Sequence, residues 1–328
     1  MTIARIAVIG GGAWGTALAQ VAAKAGRDVL LWAMEEDVAD AINSAHENSI
    51  FLPGIALDPA VRATTNLDEI GDSHAWLVVT PAQHMRAVLD RAPTSDVPRV
   101  LCSKGIEESR GQLLHTVAAE ACPGAPVAVL SGPTFAHEVA RGLPTAVTLA
   151  AEDRDVAKQL REAIARPAFR IYLSDDVAGA EIGGAVKNVL AIACGIVDGR
   201  GLGQNARAAL IARGFAEMTR FGVAMGARPE TLAGLSGLGD LVLTCSSTSS
   251  RNYSLGKGIG EGRSASELMS DRRTVAEGAF TGPVLAKLAK ERGIDMPIVN
   301  AVDHLLKGAA IESVVEELLA RPPKSEGI

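Results

Sequence analysis

Gly10-Gly11-Gly12-Ala13-Trp14-Gly15 restricts this chain more than any other segment, because it stands between an apolar run, Ile6-Ala7-Val8-Ile9, and a helical pattern, Thr16-Ala17-Leu18-Ala19-Gln20. Gly10, Gly12 and Gly15 have the GxGxxG spacing. The first glycine permits a tight turn, the second lets backbone approach a pyrophosphate, and the third lets the helix pack closely on the strand. The pyrophosphate then meets the helix N-terminus. A strand, this turn and a helix at the start of the chain predict a dinucleotide-binding βαβ unit.

The pattern that follows supports a parallel sheet. Short β-rich segments at 6–9, 29–32, 76–79, 100–102, 127–130, 146–149 and 169–172 alternate with longer helical stretches, as βα units do. From Asp175 the period becomes helical: Ile182, Val186, Val189 and Leu190 share one face. Ser174-Asp175-Asp176 is a plausible helix cap and marks the boundary. The expected architecture is an α/β Rossmann-type doubly wound sheet over 1–174, followed by an all-α domain over 175–328. Two domains also suit a length of 328 residues, since one core usually stops growing at roughly 250–300. The tail 321–328, with adjacent prolines at its start, is expected to fray.

A formal charge of −6 and a pI near 5.6 leave no diffuse positive field to recruit nucleic acid or an anionic membrane. No signal-peptide pattern opens the chain, and no apolar run approaches the roughly 18–20 residues that span a bilayer; a cytoplasmic protein is expected. Cys102, Cys122, Cys194 and Cys245 lack CxxC spacing and read as reduced thiols. The histidines form no zinc-type motif, so no metal is expected.

The choice of nicotinamide cofactor stays open. Glu35 and Glu36 follow the second strand at about the distance of a ribose-binding acid. If Glu35 faces the ribose, NAD is favoured; if both acids are solvated helix-cap residues, NADP remains available. Arg27 precedes the strand and lies at its wrong end for a 2′-phosphate.

Other segments suit a phosphate-handling enzyme better than a packed domain: Ser103-Lys104-Gly105, Ser131-Gly132-Pro133-Thr134-Phe135-Ala136, Gly183-Gly184-Ala185-Val186-Lys187-Asn188, and Gly237-Leu238-Gly239-Asp240-Leu241-Val242-Leu243-Thr244-Cys245 followed by Ser249-Ser250-Arg251-Asn252. Lys104 ends a strand pattern, at the sheet edge where open α/β folds place ligands. Lys187 is either a solvated surface lysine or a base on an apolar helix, and the glycines before it suggest that something binds against that face. Arg251 and Asn252 open a helical pattern after a serine-rich run, which reads as a capped surface turn or as an arginine and helix start holding phosphate.

Taken in order with the Gly10 motif, and with Leu143-Pro144-Thr145 and Val275-Ala276-Glu277-Gly278, these segments closely resemble the bacterial NAD(P)-dependent glycerol-3-phosphate dehydrogenases over nearly the whole chain. The resemblance implies a helical domain of the 6-phosphogluconate dehydrogenase-like type and reversible hydride transfer between sn-glycerol 3-phosphate and dihydroxyacetone phosphate. NAD or NADP would be the cofactor, and the product would supply glycerophospholipid synthesis. It also implies a homodimer with a small phosphorylated substrate, and no nucleic-acid or membrane partner.

By the same resemblance Lys187 is the proton acceptor, with Asp240 and Lys104 as its catalytic companions. Lys104, Gly132, Thr134, Lys187, Asp240, Ser250, Arg251 and Asn252 would meet substrate. Gly10, Gly12, Ala13, Trp14, Gly15, Met34, Glu35, Lys104, Ala136, Arg251, Val275 and Glu277 would meet cofactor. Ala13 and Met34 stand where some relatives place polar residues. Cys245 reads as a buried apolar thiol, since hydride transfer needs no covalent intermediate. A related β-hydroxyacid or ketopantoate-type reductase would share the architecture and a lysine base but select a carboxylate. A non-catalytic nucleotide sensor would need neither Lys104, Lys187 nor Asp240.

Overall fold

Fully buried apolar runs such as Ile6-Ala7-Val8-Ile9 and Ala75-Trp76-Leu77-Val78 need cover on both faces, the condition of a parallel sheet flanked by helices. In the computed structural model, which describes residues 3–270 and 275–322, these runs belong to an eight-stranded sheet. Its strands are β1 (Arg5–Ile9), β2 (Asp28–Trp32), β3 (Val61–Thr64), β4 (Ala75–Val78), β5 (Arg99–Leu101), β6 (Val127–Ser131), β7 (Thr145–Ala151) and β8 (Phe169–Ser174).

The order is β3-β2-β1-β4-β5-β6-β7-β8. All neighbours run parallel except β6 and β7. Because β1 lies between β2 and β4, the winding reverses there, and the carboxyl ends of β1 and β4 flank the switch point where such sheets bind ligands. The Gly10 turn leaves β1 at that point. Each segment read as a strand from the sequence falls on a strand; β3 was missed. It is an edge strand of alternating burial, with Arg62 exposed between Val61 and Ala63.

The chain separates into two compact units: Met1–Ser103 with Leu114–Val177, and Lys104–Leu113 with Ala178–Ile328. They differ from a single cut at 174/175 chiefly in the short segment after β5. Its Ile106 and Leu113 are buried in the core of the helical unit.

That core is built on the helix Val177–Gly199. By length and composition it could cross a membrane, contrary to the sequence expectation, but its apolar window is entirely buried by protein. A Cβ on Gly195 would strike the carbonyl oxygen of Tyr253, and one on Gly256 that of Ile192. Glycine at both positions lets this helix and Arg251–Gly260 cross with their backbones in contact. Residues 323–328, most of the tail expected to fray, lie outside the described residues.

Candidate active site

The glycine turn has the geometry its spacing requires. Gly10 has φ +130°, and a Cβ there would stand 2.9 Å from the Val79 carbonyl oxygen; a Cβ on Gly15 would strike the Gly10 carbonyl oxygen. Gly12 is different, with nothing within 4 Å of the place a Cβ would occupy. It caps the helix Ala13–Lys24 without a side chain to satisfy the first amides, and that first turn holds no acidic residue. Open space before free helix amides suits a pyrophosphate. Beside the turn, the Thr80 hydroxyl and Trp14 Nε1 are buried without a hydrogen-bond partner among the described residues. The turn therefore fits the dinucleotide that the fold implies.

The other first-unit candidates lie on neighbouring loops. Met34 is exposed and Glu35 half-buried, at the cap position of the helix Glu36–Ala45 but with no side-chain cap bond. Gly132 (φ +155°) follows β6, where a Cβ would stand 3.0 Å from Val147 Cα. Thr134 donates its hydroxyl to the Gly132 carbonyl at 3.2 Å, and Ala136 begins the helix Ala136–Arg141. Arg27 is committed to the carbonyls of Ala163 and Ile3.

In the helical unit the structure brings together Lys104, Lys187 and Asp240. Asp240 begins the short helix Asp240–Thr244 after a π-helical turn, Leu235–Gly239. That turn packs on Gly183, where a Cβ would stand 2.5 Å from the Ser236 carbonyl oxygen. The close approach that Gly183 permits is therefore made by the chain's own backbone, a correction to the reading that a ligand binds there. Lys187, one helical turn further on, faces Asp240.

The Asp240 carboxylate, with no exposed surface, is shared between two cations. Lys187 Nζ donates to Oδ1 at 2.9 Å, and Lys104 Nζ donates to Oδ2 at 2.6 Å. Thr244 accepts from Lys187 at 2.9 Å and donates to Asp240 Oδ1 at 3.2 Å. Burial drives the Lys187 ammonium down, Asp240 restores part of its basicity and the Lys104 charge opposes it, leaving a pKa of about 8. Cys245 lies fully buried next in the chain, and burial pushes its thiol well up, which keeps it a poor nucleophile.

A chain of amides ties this cluster to two helix starts. Asn188 donates to the Lys104 carbonyl at 3.3 Å, Asn252 donates to Asn188 Oδ1 at 3.0 Å, and the Gly278 amide donates to Asn252 Oδ1 at 2.8 Å. Asn252 is thus fixed beside the cluster. Ser250 caps the helix Arg251–Gly260, accepting from the Tyr253 amide at 3.2 Å, and Arg251 stands exposed at its first position. Glu277 opens the helix Glu277–Glu291, with Val275 half-buried just before it. Sequence reasoning missed Thr244 and Asn188 as members of the cluster. Thr244 was within reach of it, four residues beyond Asp240 and so on the same helix face.

A dinucleotide turn on a doubly wound sheet and a buried Lys–Asp–Lys cluster on a helical unit define a nicotinamide-nucleotide dehydrogenase as the class. Family profiles described as NAD-dependent glycerol-3-phosphate dehydrogenase N-terminus and C-terminus match residues 5–157 and 176–316. The chain belongs to that family.

It is 65% identical, over 98% of each chain, to a protein of Erythrobacter litoralis named glycerol-3-phosphate dehydrogenase (NAD(P)+). It is 62% identical, over the same shares, to one of that name from Novosphingobium aromaticivorans. The crystal structure of a glycerol-3-phosphate dehydrogenase from Coxiella burnetii superposes with a TM-score of 0.93 at 39% identity, over 97% of this chain and 99% of that one.

Proposed function

We propose that this chain is a glycerol-3-phosphate dehydrogenase that uses NAD or NADP to interconvert sn-glycerol 3-phosphate and dihydroxyacetone phosphate. The observation that carries the assignment is the buried Lys187, held by Asp240 and Thr244 with its pKa near working pH at about 8.

In the oxidative direction neutral Lys187 takes the proton of the C2 hydroxyl, and in the reductive direction its ammonium returns that proton to the ketone oxygen. The bound nicotinamide supplies the hydride acceptor for C2, or the donor in reverse. Asp240 holds Lys187 and Lys104 at fixed distances, and its negative charge offsets the second cation. Lys104 steadies the developing charge on the C2 oxygen. Arg251 and the helix start it opens hold the phosphate, with Ser250 and Asn252 fixing that helix start and Gly132 and Thr134 lining the substrate side. Gly10, Gly12, Ala13, Trp14, Gly15, Met34 and Glu35 hold the adenosine and pyrophosphate part of the cofactor. Lys104, Ala136, Arg251, Val275 and Glu277 meet its remainder.

Family membership supports a cytoplasmic homodimer whose product enters phospholipid synthesis. The test is oxidation of the reduced cofactor at 340 nm with dihydroxyacetone phosphate. Turnover with it but not with short keto acids is expected, and the Lys187→Ala variant should retain its fold and lose several orders of magnitude of turnover. A Lys187→Ala variant of near-normal rate would remove the lysine from the mechanism.

A further inference from the structure

The glycine turn is steadied by a residue that lies outside it. Asn48 has no exposed surface and stands in the connection between the helix Glu36–Ala45 and β3. The chain bends there through His46, whose left-handed conformation (φ 49°, ψ 43°) ends that helix, and Leu52, Ile55 and Leu57 bury the connection in the core of the first unit. Asn48 Nδ2 donates to the Gly11 carbonyl and to Thr16 Oγ1, each at 2.8 Å, and Oδ1 accepts from the Phe51 amide at 3.0 Å. With a carbonyl on one side and an N–H on the other, the side-chain amide fits only this way round.

The consequence falls on the peptide between Gly11 and Gly12. In a trans peptide unit the C=O and the N–H point in opposite directions, so a Gly11 carbonyl turned inward to Asn48 turns the Gly12 N–H outward. Gly11 is buried and Gly12 exposed, and the space beside Gly12 is the open one that suits a pyrophosphate. Thr16 acts on the next peptide: its amide and its hydroxyl both donate to the Gly12 carbonyl at 3.0 Å, which turns the Ala13 N–H toward the helix start.

A run of glycines needs such a hold. Without side chains, the backbone that can approach a phosphate can also rotate its N–H groups away from it. Tethering the connection does not by itself call for a buried amide at position 48, because Gln20, also buried, already ties it to the same helix. Its Nε2 donates to the Ala56 carbonyl at 3.1 Å and its Oε1 accepts from the Asp58 amide at 2.7 Å. Burying a second amide is costly unless its bonds are made, and those of Asn48 are made to the turn.

We infer that Asn48 is a positioning residue of the cofactor site, locking the Gly11–Gly12 peptide with its N–H presented to the pyrophosphate before the cofactor arrives. The inference rests on the dinucleotide reading of the turn and adds to it a residue that acts through the turn rather than by touching the cofactor.

The experiment is an equilibrium titration of the purified protein with NADH and with NADPH, read by quenching of tryptophan fluorescence, with no substrate and no turnover. Asn48→Ala should weaken whichever nucleotide the unaltered protein binds by about tenfold, the value of one hydrogen bond to a charged group. In steady-state assays KM for the cofactor should rise in step, while kcat at saturating cofactor and KM for dihydroxyacetone phosphate change little. Gln20→Ala, which cuts the neighbouring tether, should lower the denaturation midpoint and leave nucleotide affinity in place. Thr16→Val tests the same turn from the helix side and should weaken the nucleotide severalfold.

Unchanged nucleotide affinity in Asn48→Ala, or in Thr16→Val should the first variant not fold, would overturn the inference. So would an equal loss in Gln20→Ala, which would assign the effect to the connection as a whole, or a fall in kcat with affinity kept. Binding of neither nucleotide by the unaltered protein would instead overturn the dinucleotide reading beneath it.

Discussion

Lys187 Nζ lies 2.9 Å from Oδ1 of Asp240, a carboxylate shielded completely from solvent. A buried ion pair of this kind is normally locked, but the second lysine on the other oxygen dilutes the hold of Asp240 on Lys187. The result is a lysine that can lose its proton near neutral pH and keep its position.

The sign of the resulting pH dependence follows directly. Oxidation of glycerol 3-phosphate needs neutral Lys187, so kcat for that direction should rise with pH through about 8; reduction needs the ammonium, so kcat should fall through the same value. Pre-steady-state rates in both directions from pH 6 to 10 measure this. Lys104→Met removes the opposing cation and should shift both limbs to higher pH.

Arg251 stands exposed at the first position of a helix capped by Ser250, where a phosphate would meet both a guanidinium and free amides. Arg251→Ala should raise KM for dihydroxyacetone phosphate by about ten- to a hundredfold, the value of a charge-assisted contact, with a smaller effect on kcat. Steady-state kinetics check it, and an unchanged KM would remove the phosphate role.

Gly256 sits where a side chain would strike the Ile192 carbonyl oxygen on the central helix. Gly256→Ala must push the two helices apart and should cost about 1–3 kcal/mol, visible as a lowered midpoint in chemical denaturation. Gly262→Ala makes the contrast: nothing lies within 4 Å of its Cβ position, so any cost comes from its positive φ alone.

Glu217, 1% exposed, accepts the amides of Ile298 and Val299 at 2.7 and 3.2 Å at the start of the helix Pro297–Leu306. Burial raises its pKa to about 7 despite those amides, from an ordinary 4.5. Between these values the folded chain holds a proton that the unfolded chain has lost, so this group's stabilising contribution is complete below about 4.5 and is lost as pH rises to about 7. The unfolding free energy from denaturation should therefore decline across that window, by an amount on the order of 3 kcal/mol. Glu217→Gln should flatten the decline.

Much of this was legible in the residues. The glycine turn, the alternating strands and the change to helical period were all written in local pattern, where nearest neighbours decide conformation. β3 was hidden because an edge strand buries one face and keeps Arg62 in water. Gly183 was misread because a sequence does not say whether ligand or backbone fills the space a glycine leaves. Asn188 was passed over because its partners, Lys104 and Asn252, lie far from it in the chain. Thr244 is the one omission that helical periodicity alone would have repaired.

The segment Lys104–Leu113 leaves the sheet after β5 and returns to it, contributing Ile106 and Leu113 to the helical core on the way. The two units are therefore not separable parts in the genetic sense. A helical fragment starting at residue 178 would retain Lys187 and Asp240 but lack Lys104 and leave a gap where Ile106 and Leu113 belong. An exchange of nucleotide-binding halves between relatives would carry one of the three charged groups away with the cofactor domain, so Lys104, Lys187 and Asp240 are inherited together only when the chain is inherited whole.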